Sequence, residues 1–182
     1  MPSIASFALS KIIRWFKYDQ RLSKMIERGE FINPDVKPNR YLKNRLTVET
    51  IKIKGKNTYI IKPEIQKQAV WIIYLHGGAY VQGFDTFHWK FICDLIKKAG
   101  CIVVTPDYPL LPHATSLEMY DMVKEVYKET LKRSSGAKIM LMGDSAGGGL
   151  ALGFAQTLVK TNTQSAPEII LLSPWLDITM EN

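Results

Sequence analysis

Thiol and imidazole groups are scarce in this 182-residue sequence, which has two cysteines and three histidines. Cys93 and Cys101 lack the paired spacing of a metal site or a disulfide framework, so reduced thiols in a cytoplasmic protein are expected, with no metal and no cofactor. No apolar run reaches the roughly 18 residues of a membrane span. The apolar stretch near the amino terminus is interrupted by Ser10, Lys11 and Arg14 with no small-residue cleavage site after it, which argues against a signal peptide. Long runs of one charge are also missing. The formal net charge is +7, yet lysine and arginine are spread along the chain as on a solvated surface, and neither nucleic acid nor an inserted membrane is expected as a partner. What remains is a chain with 46% hydrophobic and 23% charged residues, enough for one core of ordinary size.

Leu9, Ile12, Ile13 and Phe16, then Leu22, Met25 and Ile26, fall at helical spacing, so residues 1–40 read as an amphipathic helical segment. Two readings compete there. The helices pack across the domain that follows, or Trp15 and Phe16 touch a membrane surface with Lys11, Arg14 and Lys17 on the polar side. Packing is favoured, because aromatic residues at helical spacing usually bury against protein. Asn33-Pro34 to Pro38-Asn39 is a turn-rich joint before the main domain, residues 41–182.

Thr47 to Ile53 and Thr58 to Lys62 are β-prone runs flanking Gly55-Lys56-Asn57, the pattern of an antiparallel hairpin. Residues 69–75, 101–105, 138–142 and 168–172 are near-continuous apolar runs, as expected of parallel strands covered on both faces. Helical stretches at 87–98, 116–132 and 146–160 lie between them. The expected fold is therefore α/β, a doubly wound and mostly parallel sheet with an antiparallel hairpin at its start. Ligands on such sheets bind outside the carboxyl ends of the strands.

Gly143-Asp144-Ser145-Ala146-Gly147 joins one of these strands directly to a helix. Gly-x-Ser-x-Gly in that setting is a nucleophile elbow, a turn too tight for bulky neighbours that exposes the serine at a helix start. The bare pattern arises by chance in roughly one chain of this length in twenty, so its context matters. His76-Gly77-Gly78 ends the preceding strand on the same sheet edge, where uncovered backbone N–H groups suit charge developing on a carbonyl oxygen. Ser145 is the candidate nucleophile, and Gly77, Gly78 and Ala146 are the candidate oxyanion donors.

HGGAY at 76–80, DY at 107–108, GDSAGG at 143–148 and SPWLD at 173–177 together resemble the hormone-sensitive-lipase-like branch of the α/β hydrolases. The resemblance runs from about residue 40 onward and places the amino-terminal helices where that family carries part of its cap. It implies hydrolysis of a small carboxylic ester through an acyl-enzyme on Ser145, without metal or cofactor. Ala79 stands in place of a third glycine, and PLLPH at 109–113 departs from the family's usual loop. In this family the acid and then the histidine follow the serine, but no histidine follows Ser145. The last strands are therefore expected to be missing, two or three units of on the order of 60 to 100 residues.

Of the histidines present, His76 is read as bracing its loop, His88 as a surface or packing residue, and His113 as lying on the correct edge, which leaves a rearranged dyad open. Asp144 and Asp107 are read as loop-bracing, and Asp177 as tying its own loop. Tyr80, Phe84 and Trp175 are candidate pocket walls. Without a positioned base Ser145 is a weak nucleophile, so the same scaffold acting as a non-catalytic binder of a small ligand is the alternative. The oligomeric state stays open.

Overall fold

The computed structural model describes residues 28, 37, 38, 42, 46–65, 70–161 and 167–177. The expected amino-terminal helices lie outside the described residues, apart from Arg28, which is helical. Internal contacts divide the chain into Met1–Ile32 and Asn33–Asn182, and the second unit carries the whole described sheet.

Strands β1 (Leu46–Ile53) and β2 (Lys56–Pro63) pair antiparallel, with Ile53 opposite Lys56. The turn is therefore the two residues Lys54 and Gly55, not the Gly55–Asn57 loop expected from composition. Both have positive φ, 51° and 77°, the backbone that matches a two-residue turn to the twist of its strands. After the hairpin, strands and helices alternate: β3 (Val70–Leu75), α1 (Thr86–Ala99), β4 (Ile102–Pro106), α2 (Ser116–Ser134), β5 (Lys138–Asp144), α3 (Ser145–Lys160) and β6 (Glu168–Leu172). The sheet order is β1-β2-β4-β3-β5-β6, and all pairs beyond β2–β4 are parallel.

Neighbouring residues on a strand face opposite sides of the sheet. In β2, β3 and β4 this sends Ile60, Ile73 and Val104 to one face, which α2 and α3 cover with Val123, Leu150 and Phe154. Ile61, Ile72 and Val103 go to the other, which α1 covers with Trp89, Ile92 and Ile96. Both faces are dry, which is why the strands read as unbroken apolar runs. No helix among the described residues is long and apolar enough to cross a membrane.

β3 lies between β4 and β5, so the chain leaves β3 for one side and returns to the other. Such a reversal opens a crevice at the carboxyl ends of the central strands. Leu75 pairs with Gly143, so the loops after β3 and β5 begin side by side.

Candidate active site

α3 starts at Ser145 with no loop after β5. Ser145 has φ of 48°, a left-handed backbone that costs a non-glycine residue about 1 kcal/mol. Packing on both sides enforces it. A side chain at Gly143 would strike the Gly147 carbonyl, and one at Gly147 would strike the carbonyls of Leu75 and His76. α3 therefore sits directly on the end of β3. From the other side, the loop after β6 reaches back, where Trp175 N–H donates to the Ser145 carbonyl at 2.8 Å.

The three helix starts differ. α1 is capped by Asp85, whose carboxylate accepts from Phe87 and His88, and α2 by a Thr115–Glu118 capping box. At α3 the N-cap residue Asp144 makes no side-chain cap bond. Its Oδ1 instead accepts from Gly77 N–H at 2.9 Å and from the Tyr74 hydroxyl at 2.5 Å, while His88 Nε2 lies 3.6 Å from Oδ2. Burial pushes the Asp144 carboxyl up, but the contacts of His88, Tyr74 and Gly77 outweigh it and hold the group below the usual range. The first-turn N–H groups of α3, including Ala146, have no intrahelical acceptor, and their own cap residue is engaged elsewhere.

Peptide planarity then sets the glycine loop, because a C=O and the following N–H point in opposite directions. The His76 carbonyl accepts from the Tyr108 hydroxyl at 2.5 Å, and Gly77 N–H points the other way to Asp144. The Gly77 carbonyl takes a hydrogen bond from His76 Nδ1 at 2.7 Å, which turns Gly78 N–H away from that ring. The Gly78 carbonyl accepts from Val81 and Gln82, which turns Ala79 N–H away from those two residues. Gly78, Ala79 and Tyr80 all have positive φ, 121°, 52° and 61°. Gly77 was expected to donate to an oxyanion, but its N–H is already bound to a carboxylate. The next N–H groups along this loop are those of Gly78 and Ala79.

His76 is fully buried, with its ring stacked on Tyr108 at 4.3 Å and beside Phe84 at 4.2 Å. Desolvation lowers its pKa to about 4, so it is neutral at ordinary pH and braces the loop through Nδ1. Phe84 stacks on Trp89 at 4.4 Å in the core behind the loop and is no pocket wall. Tyr80 and Trp175 are part-exposed and stack at 6.0 Å beside α3. Asp107 N–H donates to the Asn57 carbonyl, tying the loop after β4 to the hairpin. The Asp177 carbonyl accepts from the Trp175 indole at 2.6 Å. His113 lines a cleft of about 360 Å³ with Lys56, Pro109 and Asp121, toward the hairpin and α2. The hydrogen bonds of His76 and His88 go to Gly77 and Asp85 rather than to Ser145. His88 is not a surface residue, since its side chain is 13% exposed and faces both Asp85 and Asp144.

Sequence reasoning missed Tyr74, because in an apolar run it counts as one more core residue. It also missed the place of His88, which closes the capping box of α1 with Asp85 and lies near Asp144, because a histidine at the third helical position is not part of the usual capping-box pattern.

A family model described as the alpha/beta hydrolase fold matches residues 72–182. An esterase of Acinetobacter venetianus is 34% identical over 60% of this chain and 36% of its own length. A triacylglycerol lipase of Mycobacterium tuberculosis is 30% identical over 59% of this chain and 25% of its own. The chain thus spans less than half the length of these curated relatives. Among solved structures, an esterase from the bacterial hormone-sensitive lipase family superposes with a TM-score of 0.66 at 26% identity, covering 88% of this chain and 58% of that one. With the elbow, the glycine loop and the sheet order in agreement, the chain belongs to the α/β hydrolase fold family, in its hormone-sensitive-lipase-like branch.

Proposed function

We propose that Ser145 is the nucleophile of a carboxylic ester hydrolase that works through an acyl-enzyme. The hydroxyl adds to the ester carbonyl, its proton passes to a base, the alcohol leaves, and water later releases the acid. The negative oxygen formed on the way is held by N–H groups of Gly78, Ala79 and Ala146. The observation that carries this reading is the start of α3. It is strained at Ser145 and left uncapped, while Asp144 turns aside to bind Gly77. Those features are costly for a helix and useful for binding an oxyanion. The relatives' names, esterase and triacylglycerol lipase, support acyl esters as the substrate class. Tyr80 and Trp175 stand beside the serine as a wall for a small ester.

Proton transfer needs a base, and the hydrogen bonds of His76 and His88 go to partners other than Ser145. That observation also favours a second reading, a binder of a small ligand at the same crevice. A fluorophosphonate probe decides between them. Labelling of the wild-type chain but not of Ser145→Ala supports an activated serine, whereas no labelling of well-folded protein removes the catalytic reading and leaves the binder. The two cysteines keep a cytoplasmic location as the expectation.

A further inference from the structure

We propose that His88 is a positioning residue for the oxyanion loop, acting through Asp144, so that the first turn of α1 controls where the amides of residues 78 and 79 stand. The proposal rests on the ester-hydrolase reading of Ser145 for its functional meaning, but its structural content is independent of turnover.

Asp144 touches both halves of the site. It precedes the proposed nucleophile in the chain, and its Oδ1 holds Gly77, the residue before the proposed donor amides, at 2.9 Å. There is little slack between them, because a Cβ on Gly77 would collide with Oδ2. The direction of this carboxylate therefore sets the position of the glycine loop. Two side chains fix that direction. Tyr74 comes from β3 and contacts Oδ1 at 2.5 Å; His88 comes from α1, on the other side, with Nε2 3.6 Å from Oδ2.

The protonation of His88 does not alter its role toward Asp144. Nδ1 accepts from Asp85 N–H at 3.0 Å in the neutral ring and lies 2.9 Å from Asp85 Oδ1, a contact suited to the charged ring. In the first case the proton is on Nε2, and in the second both nitrogens carry one. Nε2–H faces Asp144 either way. Apart from Asp85 and Asp144, the groups around the imidazole are Tyr74, His76 and Phe84, with ring centroids at 6.5, 5.7 and 6.0 Å. No cation or further carboxylate stands among these neighbours to take over the orientation of Asp144.

A residue that only caps α1 would affect the start of that helix and nothing beyond Asp144. A positioning residue affects Gly77. The test follows the Gly77 amide by NMR across a pH titration of the full chain, in wild type, His88→Ala, His88→Gln and Asp144→Asn. In wild type the Gly77 amide proton is expected to lie downfield and to titrate with Asp144, below the usual carboxylate range. In His88→Ala the inflection moves up in pH and hydrogen exchange at Gly77 speeds up by roughly tenfold or more, the loss expected of a weakened charged hydrogen bond. His88→Gln keeps an N–H donor and restores much of both; Asp144→Asn abolishes the inflection. A Gly77 amide that titrates and exchanges as in wild type when His88 is alanine overturns the proposal. If His88→Ala does not fold, a Gly77 amide that exchanges tenfold faster in His88→Gln also overturns it, since the donor is retained there. Fluorophosphonate labelling of the same variants is a separate reading: absence of labelling in wild type refutes an activated Ser145 in this chain, while the Gly77 amide still decides the role of His88.

Discussion

The starts of α2 and α3 lie on the same side of the sheet and are built in opposite ways. At α2, Thr115 and Glu118 satisfy each other's backbone N–H groups in an exposed capping box. At α3 the N-cap carboxylate is withdrawn, the first residue is left-handed, and neighbouring backbone presses on the first turn. α2 is arranged for its own stability. α3 gives up local stability, the trade expected if its start binds a developing anion as proposed above.

The comparison can be broken most severely at Gly147. Gly147→Ala drives a methyl group into the end of β3 and should cost about 3 kcal/mol or more, read as a fall in the urea midpoint. His76 should produce the next largest effect. Its folded pKa is depressed from 6.5 to about 4, so the stability it allows is complete above pH 6.5 and is lost as pH falls toward 4, by about 3 kcal/mol. His76→Phe should flatten that part of the stability-against-pH curve. Asp144→Ala leaves Gly77 N–H and the Tyr74 hydroxyl unpaired, at a cost of about 2 kcal/mol. Because its carboxyl is also depressed, the stabilisation is present above the usual carboxylate pKa and disappears as pH falls through the lowered value. Asp144→Asn should remove that acid-side slope.

Two smaller changes sharpen the contrast. Ser145→Gly should be more stable than Ser145→Ala by about 1 kcal/mol, since only glycine is free of the left-handed penalty, and equal thermal midpoints for the two would remove the strain argument. Thr115→Ala should cost about 1 kcal/mol and leave fluorophosphonate labelling unchanged, showing that the cap at α2 serves the fold alone.

The fold was readable because two dry faces force a continuous apolar run, and β6 has the bounds expected from its sequence, Glu168–Leu172. The hairpin turn was not, since a positive φ at Lys54 leaves no mark in composition. The sharp turn at Ser145 was legible because it demands glycine two residues to either side. The bond of Gly77 N–H was not legible, for a physical reason: where each N–H of a glycine pair points depends on the plane of its peptide, and those planes are set by distant acceptors. Here the acceptor is Asp144, 67 residues along the chain. The role of Tyr74 was hidden likewise, because a hydroxyl at the end of an apolar strand declares itself only once its acceptor is known.

The main-chain bond from Trp175 to Ser145 bears on the order in which the elbow becomes rigid. During synthesis the serine emerges well before the tryptophan, so the strained turn must wait for β6 to dock before its far side is held. A nascent chain halted between the two would carry every residue of the motif and an elbow still free to relax into an ordinary helix start.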